Sequence, residues 1–270
     1  MGYEVFKFSH FFSIVVNYFV AIAAVYVPCF VYSWLRTLFE YGGWQEAQVI
    51  VEDNDFIRVD IPANFHWVPG QHCFLRFGRF GLRVLSSHPF TICSLPAQSS
   101  EDPSKITFYL RYRGGFTNRL YSFAKARPGV TLPVLVNGPY GGIDIQKFLH
   151  SDRSIVVAGG SGAGWALPLI ELFARKHVAD ADFHRIGDGV DEKPAERTTD
   201  AGGLQSLRLI LVTRDTATRV WFRKTVDELL RQYPSMHESP AFHLEVYLTG
   251  EAEQLKDSPE VLKDLEQALG

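Results

Sequence analysis

Cysteine is scarce. Cys29, Cys73 and Cys93 are the only three, odd in number and widely spaced, which fits neither a disulfide framework nor a metal-binding knuckle. A charge imbalance is also missing: the formal net charge is -3, without the overall basic bias that a nucleic-acid partner demands. The longest absence is local. From Phe11 to Leu35 there is no Asp, Glu, Lys, Arg or His. What is plentiful is aromatic, with 21 Phe and 11 Tyr. That suits β-structure and a membrane-facing segment better than a soluble helical bundle.

As a helix, the uncharged run would span roughly 37 Å, more than the ~30 Å hydrocarbon core of a bilayer. Pro28 is tolerable in such a helix, and Tyr32, Trp34 and Arg36 sit where an interfacial anchor belongs. The expectation is a transmembrane segment over residues 1–43. Two alternatives stay open. A cleaved signal peptide has a small-residue site at Ala21-Ile22-Ala23, but the apolar run continues past it. A buried soluble helix would have the same composition. Myristoylation fails, because Phe6 stands where Ser or Thr is wanted. Lys7 and Arg36 flank the span and leave its orientation open.

After Gly42-Gly43 the pattern changes to short β-favouring runs: 48–51, 56–61, 73–77, 106–113 and 132–136. Turn signals at Pro69-Gly70, Pro103-Ser104, Gly114-Gly115 and Pro128-Gly129 separate them. Strands so spaced predict a small antiparallel β-barrel over residues 44–142. Three boxes in it suit a flavin. His88-Pro89-Phe90-Thr91 offers a stiff, flat wall and a hydroxyl. Arg111 supplies a cationic fork for phosphate, and Gly114-Gly115, before Phe116 and Thr117, lets backbone N–H groups approach a pyrophosphate. The third box is Gly138-Pro139-Tyr140-Gly141. In this order and spacing the boxes resemble the ferredoxin-reductase superfamily, and within it the ferric reductase/NADPH oxidase branch. The resemblance implies FAD bound by residues 88–91, 111 and 114–117, and NADPH near residues 138–141.

Residues 152–270 read as an α/β doubly wound dinucleotide-binding domain. The run Ser154–Ala158 leads into Gly159-Gly160-Ser161-Gly162-Ala163-Gly164 and then a helical pattern, Trp165–His177. Strand, Gly-rich turn and helix together place a phosphate on a helix N-terminus. The spacing departs from strict G-x-G-x-x-G, since Trp165 occupies the last position. The turn resembles the one that faces the NADPH pyrophosphate in the superfamily, which assigns Gly159, Gly160, Ser161, Gly162 and Gly164 to that cofactor. The strand Leu207–Thr213 ends at Arg214-Asp215. An acid there favours a free ribose 2′-hydroxyl, and an arginine a 2′-phosphate. The similarity of Val212–Phe222 to the family pattern assigns Arg214 to NADPH. Residues 179–206 are polar, unable to bury a core, and are expected to form a disordered insertion. A third strand, Leu244–Thr249, and an amphipathic helix, Pro259–Leu269, complete the pattern. The resemblance implies a sheet of about five strands and a closing Cys-Gly-Pro box near the nicotinamide; with three strands and no such box, the domain is expected to be incomplete.

The resemblance also implies what the sequence does not contain. Residues 3–11 look like the start of a haem-bearing helix, but the positions for its second histidine are Ala23 and Ala24. Haem is thus expected only in full-length relatives, with His10 an interfacial histidine and the chain truncated at both ends. The implied function is electron transfer from NADPH through FAD to a metal chelate, in ferric or cupric reduction and metal-ion uptake. Competing readings are a superoxide-generating oxidase with oxygen as acceptor, a truncated FAD-binding protein without turnover, and a soluble diaphorase-like reductase. The implied partners are membrane lipid, the acceptor and a haem-bearing membrane subunit. The implied location is the plasma membrane, with both nucleotide domains in the cytosol. No catalytic residue and no metal ligand is assigned.

Overall fold

A computed structural model describes residues 2–40, 42–81, 86–98, 104–187, 203–236 and 239–249. Helix α1 (Gly2–Glu40) stands at the N-terminus. It is long and apolar enough to cross a membrane, and none of its most apolar window is buried. Phe11, Phe12, Tyr18, Phe19, Val25 and Tyr26 all lie open. A soluble core helix would bury one side; the side-chain hydrogen bond described between this helix and the sheet lies near its C-terminal end. There Asn137 Nδ2 donates to Ser33 Oγ (3.3 Å), and Thr37 is buried.

Six antiparallel strands follow: β1 (Trp44–Val51), β2 (Phe56–Pro62), β3 (Gln71–Phe77), β4 (His88–Thr91), β5 (Lys105–Arg111) and β6 (Val130–Gly141). Helix α2 (Gly115–Ala126) lies between β5 and β6. Their order in the sheet is β4-β3-β6-β1-β2-β5. The strands alternate inward apolar and outward polar positions. Val49, Ile57, Val59, Ile61, Phe108 and Val134 are fully buried in one core, against Phe116 and Leu120 of α2. The expected barrel is a curled sheet whose ladder does not close. Past the end of β4, Cys93 N donates to Thr107 O of β5 (2.8 Å). The two edge strands therefore approach each other and leave a seam, which is where the site forms.

Helix α3 (Ile145–His150) leads to the second unit. Strands β7 (Arg153–Gly159), β8 (Ser206–Thr213) and β9 (Phe242–Leu248) form a parallel sheet in that order. Helices α4 (Ala163–Gly187) and α5 (Thr216–Leu230) pack on it. Ile170, Phe173, Leu209, Leu211, Trp221 and Phe222 are central to the second core. Ile155 and Val157, on the opposite side of β7 from buried Val156, are exposed.

The expected insertion is corrected at both edges. Residues 179–187 continue α4, so the helix outruns its apolar stripe. Leu204 is 1% exposed, and its N–H donates to Leu149 O (2.8 Å). This segment thus does bury a core side chain, one that a polar composition hides. Residues 188–202, and the helix expected at 259–269, lie outside the described residues.

Candidate functional site

The seam between β4 and β5 opens toward the N-terminal end of α4. Along it runs a cleft of about 250 Å³ lined by Pro89, Phe90 and Thr91 from β4, by Cys93, by Tyr109, Leu110 and Arg111 from β5, by Arg113, and by Ser161, Gly162 and Trp165 across the gap. A second cleft of about 620 Å³ shares Arg111 and Arg113 with it. This larger cleft is completed by Tyr112, Gly160, Val212, Thr213, Arg214 and Thr249. The strand wall, the arginine fork, the Gly-rich turn and the end of β8 thus meet in one continuous region.

Each wall has a local cause. Gly160 lies at φ 50°, where a side chain is strained, and a Cβ there would meet nothing within 4 Å. The turn therefore leaves space at the start of α4. Gly164 does the opposite: a Cβ on it would come within 2.9 Å of Tyr109 Cδ2 and 3.0 Å of Cys93 Sγ. Only glycine lets α4 sit this close to β5. Trp221 of α5 locks the same junction against Tyr109 and Phe56, with ring centroids 4.8 Å and 5.5 Å away. Arg175 Nη1 adds a hydrogen bond to Pro96 O (3.0 Å).

Electrostatically the larger cleft carries Arg111, Arg113 and Arg214 and no carboxylate in its lining. Asp215 is turned away from ligand duty: its Oδ1 accepts from Ala217 N (3.1 Å) and its Oδ2 from the Thr218 hydroxyl (2.7 Å), capping α5. The acid that could select an unphosphorylated ribose is thereby occupied, and the exposed arginine is left facing the cleft. Burial pushes the Cys93 thiol up to about 12, so this cleft residue stays a neutral thiol. Burial also raises the Tyr109 phenol above its ordinary value.

The residues fit both nucleotides. The Thr91 hydroxyl makes no hydrogen bond among the described residues and is free for a ring or ribityl group. Helix α2 opens at Gly114-Gly115 without a side-chain cap, and a Cβ at either glycine would meet nothing within 4 Å. Its first N–H groups are thus open to a diphosphate next to Arg113.

Other sequence candidates stand elsewhere. Phe116 is 7% exposed within the first core. His88 stacks on it, centroids 4.9 Å apart and planes 10° inclined. The Thr117 hydroxyl accepts from Arg113 N (3.2 Å) and donates to Gly114 O (3.0 Å), which shapes the loop. Gly159 ends β7. Gly138, Pro139, Tyr140 and Gly141 line neither cleft. They end β6, with His72 of β3 in register with Tyr140 and the Tyr140 hydroxyl on Asn137 Oδ1 (2.5 Å). Of these four, Tyr140 lies near the end of α1, with Arg36 Cζ 5.9 Å from its ring. Sequence reading missed Arg113, Trp165 and Thr249. Arg113 could have been found, since it is the next outward cation after Arg111. The other two come from distant segments.

Residues 42–143 match the family described as FAD-binding domain, and residues 153–268 match the ferric reductase NAD binding domain. The chain belongs to the ferric reductase/NADPH oxidase family. It is similar to the "Probable cell surface ferric reductase kap2" of Aspergillus oryzae, 28% identical over 236 residues, which is 83% of this chain and 27% of that protein. It is similar to the "Ferric/cupric reductase transmembrane component 7" of Saccharomyces cerevisiae, 33% identical over 47% of this chain and 17% of that one. "NADPH oxidase 5" of Homo sapiens is 20% identical over 76% of this chain and 30% of that protein. The chain therefore spans less than a third of the length of these relatives.

Proposed function

We propose that this chain is the membrane-held, FAD- and NADPH-binding part of a reductase that moves electrons from NADPH toward a metal chelate. The observation that carries this reading is the shared cleft, where the β4 wall and the Gly160–Gly162 turn face one another across the β4–β5 seam. A bound flavin supplies the conversion between two-electron and one-electron transfer that such a reductase needs. Pro89, Phe90 and Thr91 hold the flavin ring against the seam. Arg111 and Arg113 neutralise its diphosphate, with the first turn of α2 beside them. Gly160, Ser161 and Gly162 bring the nicotinamide nucleotide's diphosphate to α4. Arg214 takes the 2′-phosphate, which selects NADPH over NADH. Trp165 lines the smaller cleft across from the β4 wall.

Helix α1 spans the bilayer, because its apolar window stands uncovered among the described residues. The nucleotide domains then lie on the cytosolic side, where NADPH is supplied, and the plasma membrane is the proposed site. Haem comes from a further membrane segment or subunit. Oxygen is the alternative acceptor, favoured by the similarity to NADPH oxidase 5.

The test uses the full chain purified in mild detergent. Stoichiometric flavin absorbance, bleached by NADPH without oxygen, is the expected result. Thr91→Ala with Arg111→Ala should strip the flavin, since a lost charge-assisted hydrogen bond costs about 1.5–3 kcal/mol. Full flavin occupancy in that double variant would sink the placement. Flavin that NADPH leaves oxidised would sink the reductase reading while sparing the flavin site.

A further inference from the structure

Arg76 lies on β3, in register with Leu135 of β6, and is only 9% exposed. Its Nε is buried without a hydrogen-bond partner, and no carboxylate among the described residues pairs with it. A guanidinium cannot shed its charge, and an uncompensated buried charge is costly. What surrounds it is aromatic. The Trp34 ring of α1 lies 5.9 Å from its Cζ. Burial lowers its pKa, while the Tyr140 and Tyr26 hydroxyls act in the opposite direction. A second guanidinium is close by: Arg36 Cζ stands 5.9 Å from the Tyr140 ring, and Arg36 pairs with the exposed Glu40 (2.6 Å).

The height of this cluster identifies its ligand. Tyr32, Trp34 and Arg36 stand at the end of the uncharged run that closes at Leu35. The Ser33–Asn137 hydrogen bond holds the sheet at this same level. If α1 crosses a bilayer, hydrocarbon gives way to headgroups here. The anion available in that layer is the phosphate of a lipid, and a guanidinium fork matches it.

We propose that Arg76 and Arg36 form a phosphate-binding site for the headgroup of an anionic glycerophospholipid, seated against Trp34 and Tyr140 where α1 meets the sheet. The proposal rests on the membrane-spanning reading of α1. An occupied site would hold the sheet at a set distance and tilt from the bilayer, and so aim the β4–β5 seam. It also gives Tyr140 a role, as one wall of this junction.

The experiment uses the full chain in detergent micelles carrying phosphatidylcholine and phosphatidylglycerol, with bound lipid counted by native mass spectrometry. One retained phosphatidylglycerol is expected, preferred over phosphatidylcholine by about tenfold or more. Arg76→Gln should abolish the preference, and Arg36→Gln should reduce it severalfold. Because Arg76 is buried, near-ultraviolet dichroism checks that its variant stays folded, and Arg36→Gln gives an independent reading if it does not. Equal retention by all three proteins overturns the site. Inorganic phosphate retained in pure phosphatidylcholine, with the same dependence on Arg76, overturns the lipid in favour of a soluble anion. Alkaline carbonate extraction tests α1 separately: a chain released from membranes sinks the spanning reading, whatever the lipid result.

Discussion

Tyr109 and Trp221 meet edge to face, ring centroids 4.8 Å apart and planes inclined at 70°. Tyr109 belongs to the flavin-side sheet and Trp221 to α5, so this contact sets the width of the cleft. Trp221 is 4% exposed. We expect Trp221→Ala to cost about 3–5 kcal/mol, the usual range for a large buried aromatic, and Trp221→Phe much less. Gly164→Ala should add strain at the same junction, on the order of 1–3 kcal/mol. Thermal melting of the purified variants measures both. A Trp221→Ala protein as stable as the parent would show that the two units are not locked together.

Phe116 separates a structural from a cofactor role. Its ring packs on Phe77, 5.2 Å away, inside the first core. We expect Phe116→Leu to lower stability yet keep flavin, while Thr91→Ala with Arg111→Ala loses flavin and keeps the stability of the flavin-free parent. Melting curves and flavin absorbance, read on the same samples, give the comparison. Loss of flavin from a well-folded Phe116→Leu protein would return this residue to the cofactor.

His88 gives a pH dependence of known sign. Burial against Phe116 lowers its pKa below the ordinary 6.5. The unfolded chain then takes up a proton that the folded chain refuses. The contribution of His88 is complete above pH 6.5 and is lost as the pH falls below it. We expect the melting temperature of His88→Gln to decline less steeply than the parent's between pH 7.5 and 5.5. Parallel slopes would count against a half-buried, neutral imidazole.

Cys73 and Cys93 make a prediction about reactivity. Burial pushes both thiols up to about 12, and the thiolate is the nucleophile. A maleimide added to the folded protein at pH 7.5 should modify neither, and denaturant should make both reactive. Peptide mapping by mass spectrometry reads this directly. Labelling of native Cys93 would mean that the cleft opens far wider than its geometry shows.

Local pattern was legible in the sequence wherever a segment's own chemistry decided it. The uncharged run to Leu35 announced α1. The strand at 207–213 and the glycine-rich turn before α4 fell where periodicity and turn chemistry put them. The end of α4 and the burial of Leu204 were not legible. A helix can continue on backbone hydrogen bonds past its apolar stripe, and one leucine in a polar stretch finds its core only in three dimensions.

The order of strand, glycine turn and cationic ends came from the sequence alone, because spacing along the chain sets which groups each element can present. Only the tertiary structure decided which of them share a space. Curling brought β4 and β5 together although 13 residues separate them, and the sheet's docking set the Tyr140 ring 5.9 Å from Arg36 Cζ of α1. Side-chain direction in a sheet depends on register and twist between partners, and no single strand carries that information.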